Sequence, residues 1–161
     1  MIIYCDGACS GNGNINAIGG FGVVMLDDEE HVIGLYNKQN LNTTNNREEL
    51  RAILYAMLKY GKTEQPIVYS DSAYAVNTFN EWMWGWAQRG WIKSDKKTPE
   101  NLDLIKAYYD LYNQGYRITL RKCRGHVGDK WNELADKLAV AAKEGKTIGK
   151  IATKAIIKEI L

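Results

Sequence analysis

Four acids stand at places where a carboxylate can be held at a sheet end. Asp6 follows the apolar run 2–5, and Asp71 follows 66–70. Both runs read as short strands. If those strands are parallel neighbours, the two acids emerge at one edge, where open α/β sheets bind ligands. Glu49 lies one position before Leu50 and four before Ile53, and Asp136 lies between Ala135 and Leu138. At helical spacing both fall on the border of an apolar stripe, able to face the sheet end without entering the core. Four converging carboxylates would repel one another and raise their pKa values. Cations relieve that repulsion, and an all-oxygen ligand set favours Mg²⁺ or Mn²⁺ over zinc. Two such ions about 4 Å apart suit phosphodiester hydrolysis, one activating the attacking water and the other stabilising the leaving oxygen. Singly, Asp6 and Asp71 are equally well explained as turn residues. Glu48 points about 100° away from Glu49 on a helix and reads as a capping or solvated residue.

The elements that must position these acids follow from patterning. The loop reading of 6–14 rests on its glycines. Segments 20–26 and 31–36 are β-rich around the polar turn 27–30, which predicts a hairpin. Thr44 or Asn45 can cap a helix, with Glu48 three residues after Asn45 as in a capping box. Leu50, Ile53, Leu54, Met57 and Leu58 carry that helix to Gly61. Strand 66–70 precedes a helical stretch from Ala73. Four of the five tryptophans fall in 81–95. Helix 101–113 and strand 117–123 come next, and a last helix carries the stripe Trp131, Leu134, Ala135, Leu138, Ala139 and Ala142. The order β-β-β-α-β-α-α-β-α predicts an α/β fold, a mixed sheet covered by helices.

Composition excludes other classes. The 161 residues carry a net charge of +2, with 45% hydrophobic and 25% charged residues. One domain of that size buries enough surface to fold without disulfides or structural metal. No apolar run reaches the roughly 18–20 residues of a membrane span, and 1–5 is too short for a signal peptide. Three cysteines, Cys5, Cys9 and Cys123, without a CxxC pattern fit free thiols in a reducing compartment, so a cytoplasmic location is expected.

Several motifs together resemble type 1 ribonucleases H: Tyr4-Cys5-Asp6-Gly7-Ala8-Cys9-Ser10-Gly11-Asn12, Thr43-Thr44-Asn45-Asn46-Arg47-Glu48-Glu49-Leu50, Tyr69-Ser70-Asp71-Ser72, and Gly125-His126-Val127-Gly128 with Asn132-Glu133 and Asp136. Arg89-Gly90-Trp91 with Lys96-Lys97 adds to them. The likeness runs in order over about 1–142. It implies a five-stranded mixed sheet, an antiparallel hairpin plus parallel strands, flanked by helices on both faces. It implies endonucleolytic cleavage of the RNA strand of RNA–DNA hybrids, leaving 5′-phosphate and 3′-hydroxyl ends. Asp6, Glu49, Asp71 and Asp136 look like the family's metal-binding carboxylates, with two Mg²⁺ ions as cofactor and Mn²⁺ as a substitute. His126 looks like its loop histidine, which assists proton transfer or product departure, a task suited to imidazole near neutral pH.

The resemblance also implies a hybrid-binding surface. Asn12, Asn45, Asn46 and Ser72 are similar to residues placed along the minor groove, where short polar groups can read the 2′-hydroxyl. Thr44 and Asn101 resemble the pocket for a DNA phosphate, with Asn42 where some members carry Arg. Trp82, Trp86, Arg89, Trp91, Lys96 and Lys97 resemble the basic protrusion that grips the duplex through sugars and phosphates. Trp82 and Trp86, four apart, read equally well as core residues of a helix. Ala87-Gln88 and Ala73 replace residues that are often polar or basic, so a more salt-sensitive grip is expected. Residues 143–161 form a basic amphipathic extension, with Lys146, Lys150, Lys154 and Lys158 four apart, expected to be helical. A monomer is expected. A related nuclease acting on DNA alone and a non-catalytic binding module are the alternatives; the Asn, Ser and Trp cluster argues against the first and the full set of acids against the second.

Overall fold

The computed structural model describes residues 1–11, 16–123 and 129–147. Strands β1 (Ile2–Ser10), β2 (Ile18–Leu26), β3 (Val32–Leu41), β4 (Ile67–Ser70) and β5 (Thr119–Lys122) form one sheet in the order β3-β2-β1-β4-β5. The β1–β2 and β2–β3 pairs are antiparallel, and β1–β4 and β4–β5 are parallel. The helices are α1 (Asn45–Tyr60), α2 (Ala73–Asn77), α3 (Met83–Gln88), α4 (Leu102–Asn113) and α5 (Lys130–Lys143), with a π-helical turn, Thr78–Trp82, between α2 and α3. This is the mixed sheet that the patterning predicts, with the five strands that the resemblance implies; between β4 and β5 the single helical stretch expected from Ala73 is instead α2, the π-helical turn and α3. Among the described residues, no helix is long and apolar enough to cross a membrane.

Strand alternation splits the core into two layers. Ile3, Cys5, Phe21, Val23 and Met25 pack with Leu50, Ile53 and Met57 of α1, and Phe79, Met83, Ile105 and Tyr108 extend that layer. On the other face Val24, Leu26 and Leu35 meet Leu134, Ala135 and Leu138 of α5. Two glycines let the helices sit close. A Cβ on Gly7 would lie 2.5 Å from the Glu49 amide nitrogen, and one on Gly22 would lie 2.5 Å from the Ala135 carbonyl oxygen.

The structure corrects four readings. β1 does not stop at Cys5. It continues to Ser10 against β2, while its parallel pairing with β4 ends at Cys5↔Ser70. Of the glycines that suggested a loop, Gly7 marks a close helix approach instead, while Gly11, just past β1, does take a positive φ of 70°. Thr44 alone caps α1, its Oγ1 accepting from the Arg47 N–H at 3.1 Å. Glu48 therefore falls one position past the capping-box site, and it is fully buried rather than solvated. Helix α4 starts at Leu102 because Asn101 adopts a left-handed φ of 60°. β5 is limited to four residues because its partner β4 offers only four. At the C-terminal end, Asn37 Nδ2 donates to the Lys146 carbonyl at 2.9 Å. The helix expected over 145–161 lies outside the described residues from Ile148 onward.

Candidate active site

Because β4 stops at Ser70, the β1 edge from Asp6 onward is left without a parallel neighbour. Asp71 follows directly on β4, and Glu49 arrives from the first turns of α1, whose backbone rests on Gly7. The outcome is a cluster: Asp6, Glu49 and Asp71 each bring a carboxylate oxygen to within 4.8 Å of the others. Asp6 is 4% exposed, and its Oδ1 accepts the Gly7 N–H at 2.9 Å. Asp136, exposed on α5, stands at the rim in hydrogen-bonding reach of Asp6.

Burial first, then the charge of Glu49 and of Asp71, pushes the Asp6 carboxyl well above its ordinary range. Glu49 is raised too, chiefly by burial, with the Asp6 hydrogen bond working the other way and Asp71 and Asp136 adding to the rise. Glu49 Oε2 is buried with no hydrogen-bond partner. A buried carboxyl oxygen left this way is costly. The all-oxygen donor set, the short spacing and that orphaned atom all fit a hard divalent cation.

A pH dependence follows for the metal-free chain. Both folded values lie above the unfolded ones, so between them the native state binds more protons. The stabilisation is full below the unfolded carboxyl range near about pH 4 and is lost as pH rises through the folded values. We expect the Tm of EDTA-treated protein to fall by several degrees from about pH 5 to about pH 8. Added Mg²⁺ or Mn²⁺ should remove most of that fall, which calorimetry will read.

The polar residues nearby line two clefts. Thr44, Asn45, Asn46, Glu100 and Asn101 surround one of about 530 Å³. Asn45 stands one helical turn before Glu49, which puts the two on the same face of α1. Asn101 donates from Nδ2 to the Tyr74 hydroxyl at 2.9 Å and accepts from Arg47 at 3.3 Å. Arg47 also grips Asp103 through two bonds of 3.0 and 2.8 Å, holding that carboxyl down at about 2. Ser72, beside Asp71, caps α2 by accepting the Ala75 N–H at 3.1 Å.

The second cleft, of about 650 Å³, is lined by Tyr74, Trp82, Trp86, Arg89 and Lys93 among others. The tryptophans divide by position. Trp82 is 43% exposed and lies 6.2 Å from Trp86, centroid to centroid, at the cleft. Trp84 and Trp91 instead pack edge-on against α4, at 4.8 Å from Tyr112 and 5.1 Å from Tyr109. Lys96 and Lys97 are exposed on a tight loop closed by Lys93 N–H to Lys97 carbonyl at 2.9 Å. Asn12 and His126 lie outside the described residues.

A family model described as RNase H matches residues 1–144. This chain belongs to the RNase H family. It is 39% identical over 143 residues to the ribonuclease H of Syntrophomonas wolfei, spanning 86% of this chain and 92% of that protein. The ribonuclease H of Cupriavidus pinatubonensis is 40% identical over 141 residues, with the same shares covered. Among solved structures, LC9-RNase H1, a type 1 RNase H with the type 2 active-site motif, superposes with a TM-score of 0.78 at 30% identity, covering 98% of this chain and 78% of that one. The resemblance to type 1 ribonucleases H is thus met, and the chain is an enzyme of a metal-dependent nuclease family.

Within this RNase H, sequence reasoning missed Arg47 and Tyr74. Together they clamp the Asn101 amide beside the first cleft. Arg47 is paired with Asp103, 56 residues away, and no local pattern announces such a partner. Tyr74 carried a weak signal, since it lies three residues after Asp71, on the same helix that Ser72 caps.

Proposed function

We propose that this RNase H hydrolyses the RNA strand of RNA–DNA hybrids, leaving 5′-phosphate and 3′-hydroxyl ends. Asp6, Glu49, Asp71 and Asp136 would hold two Mg²⁺ ions, for which Mn²⁺ can substitute. When bound, such ions supply an activated water and charge stabilisation at the leaving oxygen. The observation that carries the reading is the meeting of Asp6, Glu49 and Asp71, with Glu49 Oε2 unpartnered, beside a cleft of short polar side chains.

The remaining roles belong to the chain's own residues. Asn12, Asn45, Asn46 and Ser72 face the minor groove and distinguish RNA from DNA by its 2′-hydroxyl. Thr44 and Asn101 seat a DNA phosphate, with Arg47 and Tyr74 fixing the Asn101 amide. Trp82 and Trp86 offer apolar faces to sugars, while Arg89, Lys96 and Lys97 contact phosphates and Trp91 braces their loop on α4. His126 moves a proton or speeds product departure. Residues 1–142 form the catalytic unit and 143–161 its basic extension.

Labelled hybrid, duplex DNA and duplex RNA, each incubated with Mg²⁺, test the reading. Selective cutting of the hybrid RNA is expected. Cutting of duplex DNA would favour a DNA nuclease, and binding without cutting a non-catalytic module. The cleft assignment predicts a separate effect. Trp86→Ala should raise KM for hybrid about ten-fold, in line with aromatic contacts worth about 1–3 kcal/mol, and leave kcat within about two-fold.

A further inference from the structure

Glu48 is fully buried, yet it is absent from the cluster of acids at the β1 edge. A buried carboxylate persists only where charge and hydrogen bonds compensate it. Its partners come from three places. Asn40, near the end of β3, donates from Nδ2 to Oε1 at 2.7 Å. Thr43, in the turn before α1, donates from Oγ1 to Oε2 at 2.8 Å. The Arg51 guanidinium, one turn further along α1, pairs with the same Oε2 and donates to Thr43 Oγ1 at 3.0 Å.

This closed set fastens Thr43, itself 2% exposed, to both β3 and α1. The fit is tight: a Cβ on Gly19 would come within 2.6 Å of Thr43 Cγ2 and 3.0 Å of Glu48 Cγ. Thr43 leads directly into Thr44, Asn45 and Asn46, which line the first cleft. Glu49 is placed by the backbone contact of α1 with Gly7, a contact shared by the Glu48 backbone and Cβ but not by the Glu48 carboxylate and its partners.

We propose that Glu48 is a positioning residue for hybrid binding. Through Asn40, Thr43 and Arg51 it sets the rim formed by residues 44–46, without taking part in metal binding. The proposal rests on the reading of that cleft as the hybrid-binding surface.

The test compares wild type, Glu48→Gln and the double variant Glu48→Met with Arg51→Met. The double change removes both charges together, so neither is left buried alone. Four readouts are needed: Tm, Mn²⁺ affinity by titration calorimetry, hybrid Kd by fluorescence anisotropy with Ca²⁺, and kcat and KM with Mg²⁺. The double variant should keep its Tm within a few degrees and its Mn²⁺ affinity within two-fold. Its hybrid Kd and KM should rise about ten-fold, with kcat within about three-fold. Glu48→Gln keeps one acceptor oxygen and should show a smaller rise, about three-fold.

A folded double variant with wild-type Kd and KM overturns the proposal. So does a rise in Kd matched by an equal loss of Mn²⁺ affinity. If the double variant does not fold, an unchanged Kd in Glu48→Gln overturns it. A wild type that neither cuts nor binds hybrid removes the RNase H reading of the cleft, and the proposal with it.

Discussion

Asp71→Asn is expected to slow hybrid hydrolysis at least about a thousand-fold, equivalent to about 4 kcal/mol of barrier, while the metal-free protein gains stability. Asparagine keeps the shape of the side chain and removes its charge. Asp71 stands within 4.8 Å of the Asp6 and Glu49 oxygens and helps to raise both carboxyls. Neutralising it withdraws one of the acids proposed to hold the metal and relieves that repulsion, so activity and stability move in opposite directions. Single-turnover cleavage and calorimetry measure the two effects. Hybrid Kd should change by no more than a few-fold. A variant that keeps more than about a tenth of the wild-type rate would remove Asp71 from the chemistry.

The second large effect belongs to a residue with no side chain. Gly7→Ala should lower Tm by roughly 6–12 °C, corresponding to about 3 kcal/mol of overpacking, and should reduce cleavage by the folded fraction at least about a hundred-fold. The added Cβ would sit 2.5 Å from the Glu49 nitrogen and 2.7 Å from the Glu48 carbonyl carbon. These are backbone atoms of α1 and cannot swing aside. Relief requires α1 to rise off β1, which carries Glu49 away from Asp6. Gly85→Ala is the stability control: its nearest neighbour is the mobile end of Arg89 at 3.5 Å, and alanine favours α3. Its Tm should match or exceed that of the wild type, as thermal melts will show. Equal losses in the two variants would mean that the close approach at Gly7 is unimportant.

Much of the frame was legible because periodicity and strand polarity leave few solutions. Two short apolar runs each followed by Asp, and two helices with an acid at the stripe edge, lead to a mixed sheet with its acids at one edge. Side chains whose meaning depends on distant partners were not legible. Glycine directly after Asp6 points to a loop because glycine breaks strands locally, whereas here Gly7 admits the α1 backbone. Glu48 looked solvated because its partners Asn40, Thr43 and Arg51 are residue types that ordinarily face water. The tryptophans share one chemistry, and only the tertiary structure decides that Trp84 and Trp91 brace α4, that Trp86 packs on the core while lining the cleft, and that Trp82 is exposed there. His126 and Asn12 stand on the resemblance alone.

The central claim is that acids from β1, α1 and the end of β4 gather to hold divalent cations. Anomalous diffraction from crystals soaked in Mn²⁺ tests it most directly. The account predicts peaks bounded by Asp6, Glu49 and Asp71, with Glu49 Oε2 coordinated and Asp136 at the margin. Mn²⁺ bound only elsewhere, with Glu49 Oε2 still bare, would contradict it.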